Sequence, residues 1–196
     1  MTTSKLLSTS ELMPLEQYAK SRDEFRKKAI AHRRQRQFAL GENITLQFED
    51  RLTVQYQIQE MLRVERIFEA EGIQDELDAY NPLIPDGQNL KATMLIEFAD
   101  ADVRAIRLAQ LGGIEHRVYV QLDADDKNYA YADEDLDRST EGKTSAVHFL
   151  RFEFTKQQVE ALKNGVGLSF GIDDPRLPLH IQAPKNLHTA LCADFD

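Results

Sequence analysis

The residues between positions 60 and 66 form the densest group of side chains that could do chemistry. Glu60 and Arg63 are three residues apart, which on a helix places a carboxylate beside a guanidinium. If this helix face opens onto a cleft, the group could hold an acidic ligand or tune a general base. The alternative is a ladder of ion pairs within one helix, each stabilising it by a few tenths of a kcal/mol. The group consists of Glu60, Arg63, Glu65 and Arg66.

The segment around His148 is a second candidate site. Alternation along a strand would place His148 on the same face as Leu150 and Phe152, whereas Lys143 and Arg151 would lie on the opposite face. Polar groups among so many apolar ones need partners when they are buried, so this strand indicates a pocket. A lone histidine on an apolar strand is more often a hydrogen-bonded core residue than a ligand, and both interpretations stay open.

The segment 81–87 completes the ligand-binding hypothesis. Its two prolines fix the backbone φ angle, so the sequence predicts a stiff loop that carries Asn81 and Asp86. In this hypothesis the charged group at 60–66, the loop and the His148 strand converge in space around a small ligand.

The familiar metal and redox motifs are missing from the sequence. Cys192 is the only cysteine, which excludes an intrachain disulfide and any cluster that needs several thiolates from one chain. We interpret it as a small helix residue without a neighbouring histidine or lysine cluster to lower its pKa. Asp123, Asp125 and Glu134 fit three positions of a calcium loop, but Lys127 occupies a ligand position and opposes the ion. The sequence therefore predicts no metal and no cofactor, and any redox role would be exercised through another molecule.

Charge is spread unevenly along the chain. The formal net charge is −9, yet residues 20–36 carry eight basic residues against two acidic ones, a net charge of +6. This basic helix could dock on an acidic protein surface, and the alternative is a solvated helix face. The overall negative charge disfavours nucleic-acid binding. The predicted partner-binding residues are Arg26, Lys27, Lys28, Arg33 and Arg34.

The helices and strands that the sequence predicts around these residues indicate an α+β fold. The chain has 196 residues, a length typical of a single domain. We predict one domain over 1–196, in which an N-terminal helical segment at about 10–36 packs on the α+β body. Strands joined mainly by hairpins predict a mixed, mostly antiparallel sheet with helices on one face. No apolar run is long enough to span a membrane, and we expect a cytoplasmic protein. The sequence carries no signal of the oligomeric state.

Periodicity and capping residues place the individual elements. Residues 51–58 alternate like a strand and also repeat like a helix; we choose a helix over 51–71, capped by Asp50 and ended by Gly72. Asp100 and Thr155 are the predicted caps of two later helices. The other predicted elements are an amphipathic helix at 14–35, a hairpin at 38–48, strands at 92–98 and 145–154, a hairpin joining 117–122 to 129–132, strands at 166–172 and 178–182, and a last helix starting near Pro184.

Five blocks spread over nearly the whole chain carry a family resemblance: residues 48–53, 56–67, 79–87, 132–136 and 143–152. They resemble a bacterial family of proteins of unknown function, number 3501 in its series. The genes of that family often lie beside those for rubrerythrin and for an iron–sulfur oxidoreductase of the heterodisulfide-reductase type. The resemblance implies a link to peroxide defence or electron transfer, but it supplies no activity and no catalytic residues.

Two classes of function follow from these observations. The first, which we favour, is a non-catalytic accessory protein that docks on a redox partner of the rubrerythrin or iron–sulfur type through the basic helix. The second is a small-ligand-binding protein or an enzyme whose site combines the charged group, the loop and the His148 strand.

Overall fold

The computed structural model describes residues 6–123, 125–135, 137–139 and 143–196. Its helices are α1 Leu15–Gln35, α2 Arg51–Glu65, α3 Ala70–Tyr80, α4 Ala101–Gln110, α5 Lys156–Lys163 and α6 Lys185–Cys192. Its strands are β1 Gln37–Ala39, β2 Ile44–Glu49, β3 Asn89–Ile96, β4 Val118–Leu122, β5 Asn128–Tyr129, β6 Tyr131–Ala132, β7 Val147–Glu153, β8 Leu168–Ile172 and β9 Leu179–Gln182. Short 3-10 turns occupy Thr9–Glu11, Asn81–Leu83 and Ile114–Arg117.

The strands form two antiparallel sheets. The five-stranded sheet has the order β1-β2-β3-β7-β6, and the four-stranded sheet has the order β5-β4-β8-β9. The predicted α+β class is confirmed, although the strands divide between two sheets where one was expected. The division falls within the predicted hairpin, because β5 pairs with β4 whereas β6, two residues later, pairs with β7.

The inner faces of the two sheets share one apolar core. The Phe170 ring of the four-stranded sheet lies 5.4, 5.1 and 5.8 Å from the ring centroids of Phe38, Phe48 and Phe152 in the five-stranded sheet. A second, smaller cluster of buried apolar side chains joins α2, α3 and the loop before β3. The outer face of the five-stranded sheet therefore lies outside the main core, on the side of these helices.

The ends of α2 show how local chemistry sets the helix boundaries. The Asp50 carboxylate accepts hydrogen bonds from the backbone N–H groups of Leu52 and Thr53, both at 3.0 Å, which confirms the predicted cap. The helix ends at Arg66, whose φ of 57° is left-handed, so the prediction that it continues to Gly72 was wrong. Gly72 instead lies in α3, where a Cβ would come within 2.8 Å of Ile67.

The other helix signals agree with the structure. Asp100 and Thr155 cap α4 and α5 through backbone hydrogen bonds, as predicted. Within the described ranges, no helix combines the length and the apolar character needed to cross a bilayer.

Candidate functional site

A groove lies on the outer face of the five-stranded sheet, under α3 and the turn that follows it. Alternation along β3 and β7 turns Leu90 and Leu150 into the core, so Lys91 and Arg151 lie on the outer face. These two residues are direct cross-strand neighbours. The groove has a volume of about 670 Å³ and is lined by Glu76, Asp78, Ala79, Tyr80, Pro82, Leu83, Lys91, Glu134, Asp135, Arg138, Phe149, Leu150 and Arg151.

Two arginines of the groove form ion pairs with neighbouring carboxylates. Arg151 donates to both carboxylate oxygens of Glu134, at 2.7 and 2.6 Å, and this pairing lowers the pKa of Glu134 below its usual value. Arg138 binds both oxygens of Asp135, at 2.6 and 2.7 Å. Their charges are therefore balanced, and these arginines form a fixed polar wall.

Lys91 is a groove cation that forms one hydrogen bond and no ion pair within the described part of the chain. Its ammonium donates to the carbonyl of Pro82, and among the described residues no carboxylate forms an ion pair with it. Burial is the main cause that lowers the pKa of Lys91. Since an ammonium has three donors, Lys91 can bind a further acceptor that enters the groove.

Glu76 of α3 supplies a hydrogen-bond acceptor that complements the Lys91 ammonium. Its Oε2 atom is buried, and no hydrogen-bond partner for it exists in the part of the chain that the structure describes. Burial, followed by the nearby charges of Glu65 and Asp75, raises the pKa of Glu76. This carboxyl oxygen is therefore available to a donor, such as a water molecule or a ligand, that enters the groove.

A second cavity of about 300 Å³ shares Tyr80, Leu83 and Phe149 with the groove. It contains Arg33, whose Nε atom is buried without a hydrogen-bond partner among the described residues. The Arg33 guanidinium lies over the ring of Tyr56, 5.9 Å from its centroid. Because the two cavities share a wall, a longer ligand in the groove would reach towards this second cation.

The structure does not bring the predicted ligand-binding residues together. Glu60 faces α1, where its carboxylate accepts from Nε and Nη2 of Arg22, both at 2.8 Å, and from the Tyr18 hydroxyl at 2.7 Å. Arg63 also donates to Glu60, at 3.3 and 3.4 Å, whereas Glu65 and Arg66 are exposed. Glu60 thus fastens α2 to α1, whereas Glu65 lies close enough to Glu76 of the groove for its charge to raise the pKa of that residue.

The predicted loop and strand contribute to the groove in part. The Asn81 side chain bonds both the N–H and the carbonyl of Leu7 in the N-terminal segment, and Asp86 accepts from Gln88 and Asn89, so both side chains are occupied by the protein itself. The neighbouring Pro82 and Leu83 line the groove together with Arg151. Lys143 is exposed, and His148 is buried on the opposite face of β7.

The comparisons with known proteins concern the whole chain. The family model described as "Protein of unknown function (DUF3501)" matches residues 6–195. The chain belongs to this family. A crystal structure at 1.90 Å resolution, titled a novel protein of unknown function from Burkholderia pseudomallei K96243, is 46% identical. The match covers 97% of this chain and 99% of that chain, with a TM-score of 0.92. Among curated proteins, none matches.

Sequence reasoning missed several polar residues of this DUF3501 protein. Glu76 and Lys91 carry no motif, but alternation along β3 and its pairing with β7 could have placed Lys91 beside Arg151. The statement that Cys192 has no histidine nearby was also wrong, since the His188 Nδ1 lies 3.7 Å from its Sγ, four residues away on α6. Burial nevertheless raises the pKa of Cys192, so the thiol is not activated.

Proposed function

We propose that this protein binds a small zwitterionic ligand in the groove between α3 and the five-stranded sheet. The observation that carries the proposal is one cavity of about 670 Å³ with two polar groups whose partners among the described residues are incomplete: Glu76 Oε2 has no donor there, and the Lys91 ammonium has one acceptor, the Pro82 carbonyl. A ligand with a cationic donor and an anionic acceptor would satisfy both groups. Ligand sites are typically concave, mostly apolar and equipped with a few polar groups that fix orientation.

The remaining walls favour a compact ligand with an apolar body. Ala79, Leu83 and Phe149 supply apolar surface between the two polar groups. The volume lies within the roughly 300–1,000 Å³ of typical ligand pockets. Because Arg138 and Arg151 are neutralised by their own carboxylates, the groove does not favour a ligand with several negative charges. An apolar α-amino acid or a related zwitterion has the required chemistry.

A thermal-shift screen tests this proposal. The panel contains apolar amino acids, dicarboxylates and diamines, each assayed with wild type, Glu76→Gln and Lys91→Met. We expect a zwitterion at 100 times its Kd to stabilise wild type by about 2.7 kcal/mol, a melting shift of roughly 5–10 °C. Either substitution should reduce that shift to less than about half, because each removes one of the two polar contacts.

The matched controls are Glu160→Gln and Lys156→Met, which change exposed residues of α5. They should leave the ligand-induced shift at its wild-type size. The proposal is contradicted if no zwitterion shifts the melting temperature, or if the shift is equal in wild type and in both groove variants.

We also propose that α1 docks on the acidic surface of a redox partner, so that the protein acts as an accessory subunit. The supporting observation is four exposed cations on this helix, for which the described residues provide no ion pair: Arg26, Lys27, Lys28 and Arg34. Arg33 is not part of this surface, since its guanidinium lies over Tyr56. Rubrerythrin or an iron–sulfur oxidoreductase is the partner that the family resemblance implies.

A charge-reversal experiment tests this docking. We expect Lys27→Glu with Lys28→Glu to weaken binding to purified rubrerythrin about tenfold at low salt, because two attractions become repulsions. The control is Lys156→Glu with Lys185→Glu, which makes the same charge change at exposed sites on α5 and α6. Pulldowns at low and high salt would measure the effect. Equal recovery of partner by both double variants would count against α1 as the docking surface.

A further inference from the structure

Three side chains that could hold a metal ion meet beside strand β7, next to the edge strand β6. Glu115 lies in the Ile114–Arg117 turn, Asp133 follows β6 and His148 is on β7. One ligand atom from each lies within 4.8 Å of those of the other two. All three residues are buried, with His148 at 0% and Glu115 at 1% exposure.

The two nitrogens of His148 have different surroundings. Nδ1 lies 2.6 Å from the Asp133 carboxylate, which fixes the orientation of the ring. Nε2 faces oxygen atoms, namely the Thr144 hydroxyl at 2.8 Å, the Ser145 carbonyl at 3.1 Å and a Glu115 carboxylate oxygen at 3.9 Å. Nε2 and these oxygen atoms together form a set of potential metal ligands.

The charges at this position favour a doubly charged ion. Glu115 accepts hydrogen bonds from the hydroxyls of Ser139 at 2.5 Å and Thr144 at 3.2 Å. Its closest ring nitrogens are His116 Nε2 at 3.7 Å and His148 Nε2 at 3.9 Å, and no described lysine or arginine forms an ion pair with it. The described arginine closest to Asp133 is Arg138, at 3.4 Å, and it also binds both oxygens of Asp135. Arg138 compensates the charge of Asp133 in part, and a metal ion beside Glu115 would compensate that of the second buried carboxylate.

We propose that a divalent cation of the Zn²⁺, Mn²⁺ or Fe²⁺ class binds between His148 Nε2 and the Glu115 carboxylate. The two atoms are 3.9 Å apart, within the roughly 4.2 Å that two metal–ligand bonds of about 2.1 Å can span. The Thr144 hydroxyl and the Ser145 carbonyl are further oxygen donors, and an imidazole beside oxygen ligands suits these metals. Asp133 acts as a positioning residue, because a carboxylate on the other ring nitrogen is the usual support of a metal-bound histidine.

This proposal departs from the prediction, made from the sequence, that the protein binds no metal. Glu115, Asp133 and His148 are separated by more than a dozen residues at each step, so no short ligand motif marks them. They meet because β6 pairs with β7 and brings the residue after β6 beside His148. The site is also separate from the groove, since β7 directs His148 and Arg151 to opposite faces.

Metal analysis of the full chain, purified without a histidine tag, tests the proposal. We expect about one equivalent of a first-row metal in wild type after dialysis, and its loss on chelation should lower the melting temperature. Co²⁺ added to the stripped protein should give visible absorption bands and restore the melting temperature. Glu115→Gln should abolish retention of the metal, whereas Asp133→Asn should weaken binding about 10- to 100-fold.

The matched control is Glu49→Gln, which changes another buried carboxylate held by two hydroxyls but distant from His148 in the sheet. It should retain the metal at the wild-type level. The cobalt titration of wild type keeps the test decisive should a variant not fold. The proposal is overturned if wild type contains no metal and neither Co²⁺ nor Zn²⁺ alters its spectrum or melting temperature.

Discussion

Replacing Arg36 by methionine is expected to lower the free energy of unfolding by about 3 to 5 kcal/mol at neutral pH. The Arg36 side chain is 2% exposed and sits where the end of α1 meets β2 and α6. Methionine fills much of the same volume but cannot donate, so a buried carboxylate and three carbonyls lose their partner. The groups that lose it are the Asp194 carboxylate and the carbonyl oxygens of Phe48, Glu49 and Ala190.

The loss at Arg36 should depend on pH. Burial raises the pKa of Asp194 to about 6, although Arg36 opposes this rise. Because the pKa of Asp194 in the folded protein lies above its usual value, protonated Asp194 stabilises the fold at low pH. This contribution is lost as pH rises through about 6. Without Arg36 the pKa rises further, so the variant should lose less stability at about pH 5 than at about pH 8.

Urea unfolding of wild type and variant at these two pH values measures the effect. Arg34→Met is the control, since Arg34 is an exposed residue of the same helix, and its effect should stay within about 0.5 kcal/mol. A loss at Arg36 no larger than that at Arg34 would show that the buried guanidinium does not hold these elements together.

Glu60→Gln is expected to cost about 2 to 3 kcal/mol at neutral pH. Hydrogen bonds from Arg22, then from Tyr18 and Arg63, hold the pKa of Glu60 down to about 2 despite its partial burial. A carboxyl whose folded-state pKa is lowered stabilises the fold above the usual pKa of 4.5, and this stability is lost as pH falls through about 2. A difference of roughly 2.5 pKa units corresponds to about 3 kcal/mol.

The pH dependence distinguishes this contribution from a simple packing defect. The difference between wild type and Glu60→Gln should be full near pH 7, shrink below about pH 4.5 and vanish near pH 2. Glu16→Gln removes an exposed α1 carboxylate that pairs with Lys20, and it should change stability by less than about 0.5 kcal/mol. A cost at Glu60 that stays constant across this pH range would contradict the account.

Local signals in the sequence predicted most of the secondary structure. Apolar periodicity located α1, β2 and β7, and capping side chains at Asp50, Asp100 and Thr155 marked the starts of three helices. These signals act over a few residues, so they can be read without the fold. The end of α2 was missed because an arginine adopts the left-handed conformation there, where a glycine was expected.

The candidate sites depend on contacts between distant segments, which local patterns do not encode. Glu60 lies on a predicted helix, but only the packing of α1 against α2 shows that its carboxylate is already bound. The groove needs α3 above β3 and β7, and its two key polar groups, Glu76 and Lys91, are ordinary charged residues in the sequence. His148 was singled out correctly as a polar residue in an apolar strand, while its carboxylate partners come from other segments.

Titration calorimetry of the zwitterion from the thermal-shift screen tests the central claim most directly. The proteins are wild type, Glu76→Gln, Lys91→Met and the double variant. If one ligand spans the groove, each single substitution should weaken binding about tenfold or more, and the two losses should couple by at least about 0.5 kcal/mol in the double-mutant cycle. Affinities that are the same in all four proteins would contradict a ligand held between Glu76 and Lys91.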